Sequence, residues 1–382
     1  MVDIDYTVKC EKADADVWVY PVGCDKDSNT TMAPRSLTGD GVNAPVKAGT
    51  HRMTWKVTDD YHDFNSTAFT VKMTALVGAA PYMVVDLSGG VDALNYPVSY
   101  LSSVPEGGWG DEYKTTKLVL RLIPPGSFMM GSPTDEEGRG SSSGGEDYHG
   151  VVLTKPYYIG VFEVTQRQYV QVMGSNPSSY IGDSRAANSM TYTAIRGSIN
   201  GIAWPTHNQV DANSFMGRLR SKANILFDLP TEAQWEFACR AGTSTPFNNG
   251  KGSANIGEIA RYYNNYRDYS RDGQYWDRKG GMTEIAPVGC YLPNAWGLYD
   301  MHGNVAEMCL DQLCYYTFAG QINPKNGAGG LYNSSYPDRR VLRGGQFDYG
   351  WDGCRSAYRR YMSQTSSSAG VGFRVCCSPV AQ

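Results

Sequence analysis

The sequence predicts an α+β fold with much irregular structure, preceded by a small all-β sandwich. Three observations carry that expectation. At 382 residues the chain is longer than one ordinary core supports, so two domains are expected, one of them large. The first part of the chain alternates apolar and polar side chains with period two, as half-buried strands do. Beyond it only three segments carry helix signatures, while Gly (43) and Tyr (27) are abundant and charged residues make up 19%, a balance typical of loop-rich and strand-rich domains.

Taken in order, the β-module spans residues 1–78. Ile4, Tyr6 and Val8, then Val17 and Val19, then Met53, Trp55 and Val57, then Phe69, Val71 and Met73 each put alternate apolar residues on one face. Gly, Asp and Asn turns separate them, so an immunoglobulin-like sandwich is expected. It holds no His, Cys or carboxylate cluster of ligand spacing, and its plain role is that of a spacer or presenter. Cys10 and Cys24 either bridge two of its strands or stay reduced.

Gly78-Ala79-Ala80-Pro81 marks the boundary to a second domain, 79–382. Strands are expected at Tyr82–Asp86, Val98–Leu101, Lys117–Ile123 and Tyr157–Glu163. A Gly, Ser and acidic surface loop runs up to Gly150. Within it Gly140-Ser141-Ser142-Ser143-Gly144 matches the G-x-S-x-G nucleophile elbow only formally, because no strand leads in and no helix follows. Thr165 can cap a helix that Gly174 ends. Asp211 to Asn224 forms a second, with Phe215, Met216 and Leu219 on one face. In LPTEAQWEFACRAG, Thr231 and Gln234 make a capping box, Trp235, Ala238 and Cys239 share a face, and Gly242 stops the helix.

Composition excludes several functions. Net charge is 34 − 38 = −4 with dispersed basic residues, so no nucleic-acid footprint is present. No apolar run is long enough to span a bilayer. Residues 4 to 8 read as a strand, not a leader, so either the protein is cytosolic or a leader has been removed; the Gly-rich, Tyr-rich, charge-poor composition leans toward an extracellular or cell-surface protein. The nine cysteines impose no disulfide framework. Histidines 51, 62, 149, 207 and 302 show no zinc-like pairing.

The stretch 342–377 organises the rest. Leu342-Arg343-Gly344-Gly345 and Gly372-Phe373-Arg374-Val375 read as buried strands enclosing an exposed run of Gly, Ser, Asp, Tyr and Arg. Such a loop-rich insert is expected to carry function, and its composition is that of an antibody-like paratope. The expected contact surface is Asp348, Tyr349, Trp351, Asp352, Tyr358, Arg359, Arg360 and Tyr361. For Tyr358 and Trp351 burial in the core is the competing reading.

Six motifs in fixed order, PPGSFMMGSP, KPYYIGVFEVTQRQYVQVM, LPTEAQWEFACRAGT, NAWGLYDMHGNVAEM, RVLRGGQF and GFRV, resemble the formylglycine-generating enzyme (sulfatase-modifying factor) family. The resemblance implies a variant of the C-type lectin fold over roughly residues 118 to 378. The catalytic members hold copper between two cysteine thiolates five residues apart and oxidise a substrate cysteine. Here Cys354 matches the second thiolate and Tyr349 stands where the first would be, so no copper is expected and Cys354 reads as a buried loop anchor. Cys376 or Cys377 would have to swing in to rebuild a pair. The same resemblance implies a structural calcium ion held by the side chains of Asp300 and Glu307 and the carbonyls of Gly303 and Val305, with Glu163 nearby. The competing reading is an Asp-capped turn beside a solvated glutamate; His302 in the same run reads as a surface or packing histidine and not as a ligand.

The terminal segment, about 346–371, further resembles the variable region of proteins diversified by retroelements that rewrite template adenines. Asp348, Tyr349, Gly350, Asp352, Gly353, Ser366, Ser367, Ser368, Ala369, Gly370 and Val371 are each reachable from an AAC codon by changing adenines alone; Gln346, Trp351 and Met362 are not. The function expected is therefore non-catalytic binding of a partner, a protein or cell-surface ligand, by a protein outside the cell, on a cell surface or on a virion. The alternatives are a copper-dependent formylglycine-generating oxidase or related oxidoreductase acting on a protein cysteine, and a structural surface module.

Overall fold

A computed structural model of the chain describes residues 1–11, 14–27, 30–32, 34, 37–42, 45–60, 65–77, 80–140, 145–197, 209–250, 252–263, 284–316, 321–325 and 338–379. Gly78 and Ala79 of the expected boundary, residues 141–144 of the formal elbow, and His62 and His207 lie outside the described residues.

The N-terminal strands form two three-stranded sheets. Val2–Val8, Gly49–Trp55 and Leu37–Gly39 make one; Thr30–Met32, Val17–Asp25 and Phe69–Val77 make the other. The predicted inward residues Ile4, Val8, Val17, Val19, Met53, Trp55 and Val57 enclose a single core. Cys10 and Cys24 are free thiols.

The remaining chain is built on a five-stranded sheet, ordered Cys376–Cys377, Tyr157–Gly160, Lys117–Ile123, Tyr82–Asp86, Val98–Leu101, and a four-stranded one, ordered Arg360–Ser363, Arg339–Arg343, Ala306–Gln312, Val371–Gly372. A small sheet of Gly126–Met130, His149–Leu153 and Gln321–Ile322 sits beside them. Apolar alternation places these strands. Met83, Val85, Leu118, Leu120 and Leu122 point to one core with Phe215, Met216 and Leu219, while Val84 and Val119 point to another with Val161 and Phe162.

The expected helices form, with adjusted ends. Gln166–Met173 starts at a full Thr165/Gln168 capping box and ends at Gly174 in the left-handed conformation. The second helix is Phe215–Ala223, shorter than expected because Ser214 takes the N-cap. Glu232–Arg240 carries the Thr231/Gln234 box, and Ala241, not Gly242, is its left-handed cap. Trp235, Ala238 and Cys239 are buried as expected. So are Glu232 and Glu236. A short helix, Tyr192–Arg196, was not anticipated.

Candidate binding face and buried carboxylates

The terminal segment leaves the Arg339–Arg343 strand and returns in Arg360–Ser363, paired in register from Arg339↔Ser363 to Leu342↔Arg360. Between them a 3₁₀ turn, Trp351–Cys354, folds the chain back. Both ends are buried as expected, although the second pairs only through Val371–Gly372 and Cys376–Cys377.

Four buried arginines fix the segment. Arg343 donates to the carbonyls of Ser356, Ala357 and Tyr358 at 2.8–2.9 Å and pairs with Glu236. Arg355 spans Glu136 and Glu146 at 2.6–2.8 Å. Arg359 makes a two-pronged pair with Glu232, at 2.6 and 2.9 Å, donates to the Cys314 carbonyl, and lies 3.8 Å over the Tyr316 ring. Arg374 holds both oxygens of Glu307 at 2.6 Å. Buried guanidiniums matched to carboxylates in this fork geometry leave little freedom to the backbone that carries them.

Two residues of the expected contact surface are thereby corrected. Arg359 is 0% exposed and belongs to this inner network. Tyr358 is buried at 7%, its ring set edge-on to Tyr349 at 6.3 Å. The other six remain wholly or partly accessible. Asp348 is exposed and accepts a hydrogen bond from Gln346 at 2.7 Å. Trp351 and Asp352 are half-buried against the loop at Gly138, where a Cβ would come within 2.5 Å of the indole. Arg360 is exposed and lies 4.8 Å over the Tyr349 ring, so it joins the 348–352 arc to the 360–361 arc. Tyr361 lies under Arg339 at 3.9 Å. Tyr263 completes this face: it is 54% exposed and its N–H donates to the Tyr349 carbonyl at 2.9 Å. The Tyr262-Tyr263 pair has the same paratope-like composition and was the available signal for it.

The residues reachable by adenine changes divide in the same way. Asp348, Ser366 and Ser367 are exposed, but Gly353, Gly370 and Val371 are buried. Val371 is part of the main core, which removes it from any freely variable set.

Cys354 is fully buried among Phe247, Ile256, Ile259 and Ala260. Burial, reinforced by the charges of Asp352 and Asp348, pushes its thiol above the ordinary range, the reverse of an activated thiolate. Tyr349 stands five residues earlier, and Cys376 and Cys377 belong to two other core clusters. Among the described residues no group of three or more His, Cys, Asp or Glu side chains is arranged to hold a metal ion.

The expected calcium ligands draw on only two side chains. Asp300 is 2% exposed, with a left-handed backbone (φ 56°); its Oδ2 accepts from Gly289 N at 2.6 Å and its Oδ1 is buried without a partner. Glu163, fully buried, accepts from Asn304 Nδ2 at 2.6 Å and Val305 N at 3.2 Å. Glu307 is not a solvated carboxylate: Arg374 takes both its oxygens and Trp235 Nε1 donates to it at 2.8 Å. Burial pushes the Asp300 pKa up to about 6, and burial with the nearby Asp300 and Glu307 charges pushes Glu163 well above the carboxylate range. Three buried carboxylates share one guanidinium, Arg374, and Asp300 also feels the Lys114 ammonium. An oxygen-only donor set with a charge deficit and one orphaned carboxylate oxygen fits a hard cation. At Gly303 (φ 72°) a Cβ would meet the Arg261 carbonyl at 2.0 Å, so glycine is required. His302 is a packing residue: it is buried, set edge-on to Phe247 at 5.5 Å, with Nδ1 2.7 Å from the Cys354 carbonyl.

The sheets and the pinned terminal segment define a C-type-lectin-like scaffold of the formylglycine-generating-enzyme type. The chain belongs to the sulfatase-modifying factor enzyme 1-like domain family, whose model matches residues 111–379. It is 33% identical over 220 residues to the chaperone protein LppX of Paenibacillus barcinonensis, covering 52% of this chain and 76% of that one. It is 27% identical over 322 residues to the formylglycine-generating enzyme of Streptomyces coelicolor, covering 72% and 93%. Among solved structures, Treponema denticola variable protein 1 shares the fold with a TM-score of 0.52 at 23% identity, over 69% of this chain and 96% of that one.

Proposed function

We propose that this chain is a non-catalytic binding protein. In this reading an N-terminal sandwich, 1–78, presents a family domain, 79–382, whose terminal segment grips a partner, most simply a protein, at a cell surface or outside the cell, or on a virion. One observation carries the reading. Tyr349 stands where catalytic relatives place a copper thiolate, and its ring instead supports Arg360 on the open face. The face, now Asp348, Tyr349, Trp351, Asp352, Arg360, Tyr361 and Tyr263, pairs aromatic rings and arginine with adaptable polar groups, as interface anchors do. Among the described residues no helix is long and apolar enough to cross a membrane.

Diversification by template copying belongs to the same reading, and the solved Treponema denticola protein of this fold is itself called a variable protein. Calcium is proposed at Asp300, Glu307 and the Gly303 and Val305 carbonyls, with Glu163 adjoining; its role would be to neutralise the buried acids and stiffen the floor of the face. No copper is proposed.

The second reading, a copper-dependent oxidase acting on a protein cysteine, is favoured by relatives named formylglycine-generating enzymes. The decisive experiment compares wild type with an Asp348→Ala/Arg360→Ala double variant in capture of surface-labelled proteins, beside a copper-supplemented cysteine-peptide oxidation assay. A partner retained by wild type and lost by the folded variant supports binding. Peptide turnover abolished by Cys354→Ala would establish the oxidase instead. Sequencing the 3′ end of the gene and its flank for a near-repeat and a reverse transcriptase tests diversification.

A further inference from the structure

A cavity of about 400 Å³ lies where the end of the Phe215–Ala223 helix, the start of the Glu232–Arg240 helix and the chain at Cys376–Pro379 meet. None of its lining residues belongs to the terminal segment 346–371. Its size falls within the ~300–1,000 Å³ of small-molecule sites.

Apolar and charged side chains share the lining with the neutral polar Asn224, Thr231, Gln234 and Ser378. Ile225, Leu229 and Leu310 are buried, and Leu226, at 66% exposure, leaves an apolar side chain open to solvent at the same cavity. The charged lining residues are Arg220, Lys325 and Asp228. Asp228 is already committed: Arg196 binds it with two prongs, Arg220 Nη2 reaches it at 3.1 Å, and the Leu229 N–H donates to it at 2.8 Å. Lys325 makes no hydrogen bond or ion pair among the described residues. Among the lining residues two cations, Arg220 and Lys325, accompany one carboxylate, Asp228, an excess of 2 − 1 = 1 positive charge. The neighbouring acids lie outside the lining. Glu232 is paired with Arg359, Asp311 accepts the Glu232 N–H at 2.8 Å, and neither lines the cavity. Thr231 and Gln234 bring the positive end of a nine-residue helix to the same space.

We propose that this cavity binds a small amphipathic monocarboxylate, with its carboxylate on Lys325 beside Arg220 and an apolar body of medium length along Ile225, Leu226, Leu229 and Leu310. The positive excess selects an anion. The apolar wall selects against phosphate or sulfate, which have nothing to place there, and the exposed Leu226 gains cover only from a ligand with a hydrocarbon part. The site is independent of the terminal face and of what that face binds.

Calorimetric titration of the full chain with octanoate, octanol, octylamine and acetate tests the proposal. One saturable site for octanoate is expected, with the other three at least tenfold weaker. Lys325→Gln, a change at a half-exposed residue, is expected to weaken octanoate about tenfold, or ~1.4 kcal/mol, and Leu226→Gln to weaken it too, with melting of both variants unchanged. An acetylated tripeptide ending in leucine, tried as free acid and as amide, tells a peptide C-terminus from a free acid as the source of the same chemistry. Equal binding of octanol and octanoate overturns the proposal. So does octanoate affinity indifferent to Lys325→Gln, or the lack of saturable binding by either carboxylate.

Discussion

Arg359 and Glu232 meet in a fully buried two-pronged pair, at 2.6 and 2.9 Å, across 127 residues of sequence. The arginine that composition assigns to an outer contact surface is thus a bolt between the terminal segment and the Glu232–Arg240 helix. Removing one partner leaves an uncompensated buried charge, which typically costs about 3–5 kcal/mol. Glu232→Gln is expected to lower the melting temperature strongly, while Arg360→Ala, next in sequence but exposed, leaves it nearly unchanged. Equal effects of the two would contradict the placement of both residues.

The same pair sets a pH dependence. Burial alone would raise the Glu232 pKa, but Arg359 and Arg343 outweigh it and hold the carboxyl below its ordinary 4.5. A depressed carboxylate stabilises the fold above its unfolded value and loses that contribution as pH falls through the lower folded one. Wild type should therefore lose stability progressively below about pH 4.5, and Glu232→Gln should show a shallower acid limb in chemical denaturation followed from pH 6 to 3.

Much of this was legible beforehand, for reasons the residues make plain. Period-two alternation located Tyr82–Asp86, Val98–Leu101 and Lys117–Ile123 to the residue, because strand burial is written locally. The capping boxes at Thr165 and Thr231 were equally local. The roles of Arg343, Arg355, Arg359 and Arg374 were not, since each depends on a carboxylate brought from at least 67 positions away. A single sequence gives an arginine in a polar run no sign of whether it faces water or Glu232. Tyr263 was missed for the same reason: only the fold brings it beside Tyr349.

Within the segment, tolerance to change should follow burial and not codon access. Ser367 and Val371 are both reachable from the same asparagine codon, yet Ser367 is exposed and Val371 sits in the core at 2%. Ser367→Asn should shift stability by no more than ~0.5 kcal/mol, whereas Val371→Asn buries an amide without a partner and should cost ~1–3 kcal/mol beyond the lost packing. Denaturant midpoints of the two variants check this. If natural copies of the gene are diversified, they should vary at 348, 366 and 367 and hold 371.

The buried acids make the last prediction. Asp300 keeps one oxygen, Oδ1, buried without a hydrogen bond, and Arg374 is the guanidinium shared among Asp300, Glu163 and Glu307. Its two prongs are spent on Glu307, so Asp300 and Glu163 carry the deficit, eased at Asp300 by Lys114. A divalent cation bound only by the native state would add about 2.7 kcal/mol at a hundred times its dissociation constant, and this is the stabilisation expected for calcium here. Melting in calcium should exceed melting in chelator by several degrees, magnesium should substitute poorly because it demands a smaller and more regular cage, and Asp300→Asn should erase the difference. Asn relieves the charge deficit, so the chelated variant should melt at or above chelated wild type. A chelated wild type as stable as the calcium form would leave Asp300 a strained cap on a turn and remove the cation from the scaffold.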